Sequence, residues 1–420
     1  MRGNSMLEMA SKTWIILLAT IAVKADPTCV THRGTDVVCS SDNSDYVLKR
    51  GLVSENSKTT GITLRNCRIT DVEIESFHQL PALEYLDLSV NKISRLELGV
   101  LDGFKKTLFL NLSYNRLTEF PLGLFDQKPN LEVLDLKRNR LENLELGIFD
   151  PLLKLRHLDL SSNKIKGRSL SPYIFDQSPQ IKYMDFSRNE MSGTPKNMLA
   201  AFEAIDFLNL DRCSLKEVPN FATRSNLRTM KHLLLSTNEI SKLENPRIFT
   251  HLENLEKLNL VANYITEVHE DVFKPLKKVQ QIFLSHNKLK NIPETLFQNM
   301  RHLNNINLSN NFIEYVPVNA FRGTKLKRLN LSNNRFTYLQ DNFNLELRNS
   351  GVKLSHLFFQ NNPWQCACLN DILVEVKNYG ISYNADKYDG RRPVCVTNEF
   401  TCKRQANFNE FYSELYDNVI

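Results

Sequence analysis

Glycine and proline are scarce in this chain, at 14 and 15 of 420 residues. So low a content excludes a collagen-like protein and a disordered chain rich in Pro and Gly. Eight cysteines are too few to be the main framework of a chain this long. The 53 basic and 47 acidic residues nearly balance, and no long run of Lys and Arg occurs. The concentrated basic run that is typical of nucleic-acid binders is therefore missing.

Long apolar runs are also missing, apart from one near the start of the chain. Residues 14–23 are mostly apolar, follow Arg2 and Lys12, and precede a plausible cleavage site at Ala25. The run is shorter than the roughly 20 residues of a transmembrane helix. Residues 1–25 are therefore predicted to be a signal peptide, in preference to a buried helix. No second run of membrane length follows, so we expect a secreted protein without a membrane span or lipid anchor.

The middle of the chain consists of a repeat of the form L-x-x-L-x-L-x-x-N-x-L. One good copy contains Leu83, Leu86, Leu88, Asn91 and Ile93. The polar position of this pattern, called the landmark below, recurs 13 times, mostly 24 residues apart. The landmarks are Cys67, Asn91, Asn115, Asn139, Asn163, Asn189, Cys213, Asn238, Asn263, Asn287, Asn311, Asn334 and Asn362.

The residue types of the repeat predict its local structure. The leucines of L-x-L alternate inward on a short strand, so stacked strands bury a continuous apolar column. A buried Asn at the landmark can satisfy backbone groups of its own turn and of adjacent turns. Cys67 and Cys213 occupy the same position and are interpreted as buried structural thiols; a reactive thiol is the alternative. They lie six repeats apart and cannot meet in a solenoid.

Phenylalanines form a second repeating column and predict a spine on the convex side. Phe77, Leu101 and Phe125 each follow a landmark by ten residues. The other members, at this or a slightly longer offset, are Phe149, Phe175, Phe249, Phe273, Phe297 and Phe321.

Cysteines at both ends predict caps, which a solenoid needs to cover its exposed core. Cys29 and Cys39 can close a small hairpin before the first repeat. After the last repeat, the block from Asn361 to Leu369 contains Cys366 and Cys368. Cys395 and Cys402 follow, and residues 369–379 have the apolar spacing of a helix. The alternative for this block is a zinc site, although it lacks His ligands.

This block resembles the C-terminal cysteine-rich cap of extracellular leucine-rich repeat proteins. The resemblance covers residues 27 to about 404 and implies the disulfides Cys366–Cys395 and Cys368–Cys402. Toll ectodomains, Slit repeats and the acid-labile subunit share parts of the pattern, and the architecture is similar to leureptin-type secreted insect proteins. The N-terminal cap departs from the four-cysteine form of the family, having only Cys29 and Cys39.

The resulting fold prediction is an α/β leucine-rich repeat solenoid, a curved horseshoe with a parallel concave β-sheet and disulfide-stabilised caps. Its expected segments are a signal peptide (1–25), an N-terminal cap (26–58), thirteen repeats (59–364), a C-terminal cap (365–404) and a short acidic tail (405–420). No catalytic motif, cofactor motif or metal-ligand pattern occurs in the sequence. Nine scattered histidines form no joint site, so we expect a binding protein and no enzyme.

The concave face is the predicted recognition surface. Its central column runs from Thr63 to Phe358 and contains Asp135, Asp159 and Asp185. The side chains predicted beside that column are Lys137, Arg138, Tyr183, Arg188, Phe207 and Arg212. A solvated face without a partner is the alternative. Asn111, Asn307 and Asn330 are N-x-S glycosylation acceptors, or simply common repeat variants, and glycans there would leave repeats 4 to 10 open.

The resemblance implies a secreted recognition protein of innate immunity. Its expected ligand is a microbial lipopolysaccharide-like glycolipid or polysaccharide, and it would also engage haemocytes at the blood-cell surface. The alternatives are an extracellular adhesion or guidance ligand, and a soluble carrier or inhibitor of an extracellular protein. No nucleic acid and no cofactor are expected.

Overall fold

The computed structural model describes residues 27–41, 44–388, 394–397, 400–406 and 409–419. The predicted signal peptide, residues 1–25, lies outside the described residues. The strands, in chain order, are β1 (Thr28–His32), β2 (Asp36–Ser40), β3 (Tyr46–Leu48), β4 (Gly61–Thr63), β5 (Ile69–Val72), β6 (Tyr85–Asp87), β7 (Phe109–Asn111), β8 (Val133–Asp135), β9 (His157–Asp159), β10 (Tyr183–Asp185), β11 (Phe207–Asn209), β12 (His232–Leu234), β13 (Lys242–Leu243), β14 (Lys257–Asn259), β15 (Glu267–Val268), β16 (Gln281–Phe283), β17 (Asn305–Asn307), β18 (Arg328–Asn330) and β19 (His356–Phe358).

The described residues also form three α-helices, α1 (Phe343–Asn349), α2 (Cys366–Asn378) and α3 (Asn409–Val419). Short 3₁₀ helices cover Gly167–Ser169, Asn220–Ala222, Ser225–Leu227, Val318–Phe321 and Ala385–Tyr388.

The concave sheet confirms the predicted solenoid of thirteen turns. Within the described residues it has the order β1-β2-β4-β6-β7-β8-β9-β10-β11-β12-β14-β16-β17-β18-β19. Only β1 and β2 pair antiparallel, and every later neighbour is parallel. The register is one repeat per strand, so Leu134 pairs with Leu158, and Leu158 with Met184. The middle residue of each repeat strand is buried, which forms the predicted apolar column.

Buried landmark asparagines link each turn to the turn before it. The Asn115 amide nitrogen donates to the carbonyls of Leu88, in the preceding repeat, and of Leu112, in its own repeat, at 2.9 and 3.0 Å. Its amide oxygen accepts the N–H of Ile93 at 3.1 Å. Asn139 and Asn263 repeat this arrangement. The predicted role of the landmark is confirmed.

The two landmark cysteines reproduce the hydrogen bond that the asparagine amide donates to the preceding turn but not the one that it accepts. The Cys213 thiol donates to the carbonyl of Phe186 at 3.4 Å, and Cys67 donates to that of Cys39 at 3.2 Å. A thiol is a weak acceptor, and the N–H of Met191 instead donates to the backbone carbonyl of Cys213 at 3.0 Å. Both thiols are buried and free, and burial raises the pKa of each.

The phenylalanine column forms the predicted spine. Its side chains are almost fully buried, and successive rings approach each other, with centroid distances of 6.0 Å for Phe273–Phe297 and 5.9 Å for Phe297–Phe321. This spine fills the interior opposite the strands, where the chain returns from one strand to the next.

Both caps cover the ends of the apolar core. The Cys29–Cys39 disulfide joins β1 and β2, and β2 extends the concave sheet before β4. At the other end the structure forms Cys366–Cys395 and Cys368–Cys402, the pairing that the resemblance implies. These bonds leave no thiolates for the alternative zinc site. Trp364 is fully buried and donates from its indole nitrogen to the carbonyl of Phe359 at 2.8 Å.

The segment expected to be a short acidic tail, 405–420, differs from that description because it contains helix α3. Tyr412 is buried, and Asp417 pairs with Arg335 at 2.8 Å. Asn409 accepts a hydrogen bond from the Thr337 hydroxyl at 2.5 Å. The acidic and aromatic residues thus attach the segment to the last repeats.

A buried lysine is the least expected feature of the core. Lys128 lies where neighbouring repeats place Phe104 and Leu152, and its ammonium donates to the carbonyls of Leu101 and Phe104. Its nitrogen also lies 3.8 Å from the centroid of the Phe104 ring. Burial lowers the pKa of Lys128 to about 7, because removal from water disfavours the charged form.

We predict that Lys128→Met stabilises the protein most at low pH. Between about pH 7 and the ordinary lysine pKa, the unfolded chain holds a proton that the folded chain has lost, so wild-type stability rises with pH. The advantage of the variant should therefore shrink by about 1 kcal/mol per pH unit as the pH rises through that window. Paired urea unfolding at pH 6, 8 and 9.5 measures this change, and an advantage that does not vary with pH would contradict it.

We also predict two free thiols in the denatured, unreduced protein, belonging to Cys67 and Cys213. Thiol titration in guanidinium without reductant measures this count. A count of zero would show that the two cysteines pair with other partners. Loss of a cap disulfide should cost about 2–5 kcal/mol.

Candidate recognition surface

Two columns of side chains emerge from the concave sheet because the middle residue of each three-residue strand points inward. The first residues of β9 to β12 form an aromatic ladder, defined here as His157, Tyr183, Phe207 and His232. The third residues form the central column predicted from the sequence, with Asp135, Asp159 and Asp185 on β8, β9 and β10.

The aromatic ladder brings rings of four neighbouring repeats into contact, and three of them are stacked. The rings of His157 and Tyr183 lie 4.0 Å apart with an interplanar angle of 4°, and those of Tyr183 and Phe207 lie 4.5 Å apart at 4°. His232 meets Phe207 edge-on at 6.0 Å. The stacked faces cover one another, so the ladder presents mainly ring edges to a ligand. Sequence analysis identified Tyr183 and Phe207 but missed both histidines; the signal was their shared position, six residues before the landmark.

Four carboxylates, which we call the acidic column, lie beside the ladder: Asp135, Asp159, Asp185 and Asp211. Asp159 and Asp185 each accept the backbone N–H two residues ahead, from Ser161 at 2.9 Å and Ser187 at 2.8 Å. Asp211 instead accepts the N–H of Ser236 in the following repeat at 2.5 Å. Sequence analysis missed Asp211 because it lies two residues beyond the strand position.

The acidic column carries an electrostatic cost. Burial raises the pKa of all four carboxyl groups. Repulsion from the preceding carboxylate raises three of them further: Asp135 acts on Asp159, Asp159 on Asp185, and Asp185 on Asp211. Burial also raises the pKa of the Tyr183 hydroxyl, which donates to Asp185 at 3.3 Å, and lowers the pKa of His157. A face that keeps partly desolvated negative charge in this way is suited to a cationic ligand.

Of the basic residues predicted beside the column, only Lys137 forms ion pairs with it, although the charge of Arg212 also acts on Asp211. Its ammonium nitrogen lies 3.6 Å from Asp135 and 4.0 Å from Asp159. Arg138, Arg188 and Arg212 occupy the turns after the strands, each with a positive φ of 52°, 59° and 57°. They point to the edge of the solenoid, so the predicted set divides between two surfaces.

The three predicted acceptor asparagines lie in the central column and are half-buried. The amide oxygen of each accepts the N–H of the serine two residues ahead at 3.0 Å. Their amide nitrogens, to which a glycan would attach, donate no hydrogen bond within the described part of the chain. Glycosylation of Asn111, Asn307 and Asn330 stays a prediction.

A competing surface lies on the opposite side of the first four repeats. Ile74, Leu98, Leu122 and Leu146, which we call the apolar row, each follow a landmark by seven residues and are at least half exposed. Nothing within the described residues covers them. Among those same residues no group of acidic, His or Cys side chains could hold a metal ion, and no helix is long and apolar enough to cross a membrane.

Comparison with known families and structures identifies similar proteins. The family model described as leucine rich repeat matches residues 57–117, 109–165, 228–289 and 284–336, which together exceed half of the chain. A second leucine-rich repeat model matches residues 154–177. No curated protein matches the chain.

Several solved structures share the fold. A leucine-rich repeat protein of Leptospira interrogans is 25% identical, with a TM-score of 0.63, over 78% of this chain and 84% of that chain. A structure of an octameric complex of latrophilin 3, Unc5D and FLRT2 matches at 21% identity and a TM-score of 0.51, over 91% and 97% of the two chains. The Drosophila Toll–Spatzle complex matches at 20% identity and a TM-score of 0.54, over 83% of this chain and 48% of that chain.

We predict that Asp159→Asn combined with Asp185→Asn stabilises the protein at pH 7. Asn keeps the acceptor oxygen and already occupies this column at Asn209 and Asn259. Because the folded-state pKa values of the two carboxyl groups are raised, the wild type regains stability as the pH falls through them. The difference in melting temperature should therefore be largest at neutral pH and shrink in acid. A variant that is less stable than wild type at pH 7 would contradict this account of the column.

Proposed function

The chain belongs to the leucine-rich repeat family, and we propose that it is a secreted recognition protein of innate immunity whose concave face binds an extracellular protein. The observation that carries this proposal is the pairing of the acidic column with the aromatic ladder across four neighbouring repeats. Three disulfides in the caps support export, because such bonds persist in oxidising compartments.

The chemistry of the concave face favours cationic side chains of a partner. Among the described residues the four carboxylates have one ion-pair partner, Lys137, which lies near Asp135 and Asp159, while Arg212 acts on Asp211 through its charge alone. Burial keeps His157 neutral over more of the pH range, so it adds little positive charge. A lysine or arginine of the partner could lay its aliphatic part on the ring edges of Tyr183 and Phe207 while its charge reaches Asp159 or Asp185. Two structural neighbours, FLRT2 and Toll, were themselves solved in complexes with proteins.

A microbial glycolipid or polysaccharide is the second candidate ligand. The observation that favours it is a shallow groove of about 500 Å³ at the edge, lined by Lys164, Arg188 and Arg212 among others. Guanidinium groups match phosphate oxygens. The acidic column would repel phosphate, so such a ligand would bind at the edge while its sugars extend away from the concave carboxylates. Engagement of haemocytes at the blood-cell surface is part of the same proposal for either ligand.

A binding comparison in extracellular fluid of the source organism tests the proposed partner. The wild-type chain should retain a basic protein that the Asp159→Asn/Asp185→Asn variant retains at least tenfold less, because the carboxylates are lost while the fold is kept. Leu98→Ser with Leu122→Ser is the matched control in the apolar row and should retain the partner fully. If the Leu98→Ser/Leu122→Ser control loses the partner while the Asn variant retains it, the partner binds the apolar row and the proposal is wrong.

The setting of the function needs a separate measurement. Induction of the protein after bacterial challenge is expected for a role in immunity. Expression confined to neurons or muscle attachment sites would instead favour a guidance or adhesion ligand. Co-purification with one soluble protein without challenge would favour a carrier or inhibitor.

A further inference from the structure

A row of basic side chains lines the edge of the solenoid at which the concave strands end. We call it the basic edge and define it as Arg116, Arg138, Arg140, Lys164, Arg188 and Arg212. These residues lie directly before or after the landmarks of repeats 3 to 7 and are all exposed. They extend over successive turns, whereas the aromatic ladder and three of the four acidic-column residues lie six and four positions before the landmark.

Backbone hydrogen bonds hold the basic edge in register with the sheet. The N–H groups of Arg116, Arg140 and Lys164 donate to the carbonyls of Ile93, Leu117 and Leu141 in the preceding repeats, at 2.8, 2.8 and 2.9 Å. Those of Arg138, Arg188 and Arg212 donate to the following repeats at 2.8, 2.9 and 2.9 Å. Parallel strands are about 4.8 Å apart, so five turns place these cations along a line of roughly 20 Å.

Few acidic groups neutralise this line. Arg116, Arg140, Arg188 and Arg212 form no ion pair within the described residues. The Arg138 guanidinium lies 5.0 Å from the Tyr114 ring centroid, and Lys164 pairs with Glu142 at 3.2 Å. Glu190 is the acidic residue that lines the groove.

In the two preceding turns, an acidic residue neutralises the cations at this edge. Arg68 and Lys92 occupy the same position as Arg116, and both pair with Asp45, at 2.8 and 2.6 Å. Within the described structure no acid pairs with Arg116, Arg140 or Arg188, and Arg212 acts on Asp211 through its charge without forming an ion pair. Among the first seven repeats, the cations beside the landmarks that lack an ion pair therefore lie on repeats 3 to 7.

We propose that the basic edge binds a linear sulfated polysaccharide, laid across repeats 3 to 7 perpendicular to the strands. Cations that recur from turn to turn along the edge match a polymer with regularly spaced anions, and arginine forks bind sulfate oxygens in the same way as phosphate oxygens. The neighbouring acidic column repels the polymer and confines it to the edge. This inference goes beyond the proposed concave-face function and needs no concave partner. It extends the edge groove considered above for a microbial glycolipid into a line across five repeats and assigns that line a different ligand.

Substitutions for the test come from the chain's own repeats. Neither Arg116 nor Arg140 has a positive φ, so Arg116→Ser and Arg140→Ser cause no backbone strain. Asn310 and Asn333 precede landmarks with φ of 57° and 54°, so Arg188→Asn and Arg212→Asn cause no backbone strain. The matched control removes four exposed lysines at or near the opposite edge: Lys106→Ser, Lys274→Ser, Lys277→Ser and Lys278→Ser.

The edge variant combines Arg116→Ser, Arg140→Ser, Arg188→Asn and Arg212→Asn. The experiment measures heparin binding by wild type, the edge variant, the lysine control and Asp159→Asn/Asp185→Asn over a range of NaCl concentrations. We expect the edge variant to bind at least tenfold more weakly than wild type at 0.15 M salt. Its slope of log affinity against log salt should be smaller by about one for each lost contact. The lysine control should stay within threefold of wild type, and Asp159→Asn/Asp185→Asn should bind as well as wild type or better. Thermal unfolding verifies that each variant is folded.

Three outcomes would overturn the proposal. If the edge variant and the lysine control bind heparin equally weakly, the loss of affinity depends only on net charge and not on the basic edge. If the edge variant binds heparin as well as wild type does, or if wild type does not bind heparin, the basic edge is not a binding site for sulfated polysaccharide. Equal or tighter binding of single-stranded DNA or of bacterial lipopolysaccharide would show that sulfated polysaccharide is not the preferred ligand. None of these results depends on whether the concave face binds its protein partner.

Discussion

The buried landmark asparagine is the interaction on which the rest of the structure depends. Each amide joins a carbonyl and an N–H of the preceding turn to carbonyls of its own turn, as Asn115 does with Leu88, Ile93 and Leu112. These backbone groups are out of reach of water, and leaving one unpaired costs about 1–3 kcal/mol. The asparagines therefore fix both the turn within each repeat and the register between repeats.

Because the register is fixed, the number of residues that separate a side chain from the landmark determines on which surface of the solenoid it lies. Residues four and six positions before it lie on the concave face, where Asp185 and Tyr183 align with Asp159 and His157. Residues directly beside it lie on the edge, where Arg140 and Arg188 are found. An acidic, aromatic surface and a basic one thus run side by side along the same repeats. Ordinary strand spacing is enough to convert single residues per repeat into continuous columns.

The sequence predicted what depends on periodicity and missed what depends on side-chain direction. The strands, the phenylalanine spine and the concave position of Asp135 and Asp159 follow from the repeat. The repeat does not predict that Lys137 lies on the concave face while Arg138 lies on the edge, because it is the positive φ of Arg138 that turns its side chain to the edge. Asp211 joins the acidic column through the N–H of Ser236, a contact between repeats that spacing within one repeat does not reveal. Lys128 was missed because an apolar position gave no reason to expect a buried cation.

The central claim, that recognition occurs on the acidic and aromatic concave face, can be tested most directly by hydroxyl-radical footprinting of the chain alone and with its captured partner. The account predicts that oxidation of Tyr183 and Phe207 falls sharply in the complex, while oxidation of Leu98 and Leu122 in the apolar row is unchanged. Protection of Leu98 and Leu122 with Tyr183 and Phe207 unaffected would contradict it.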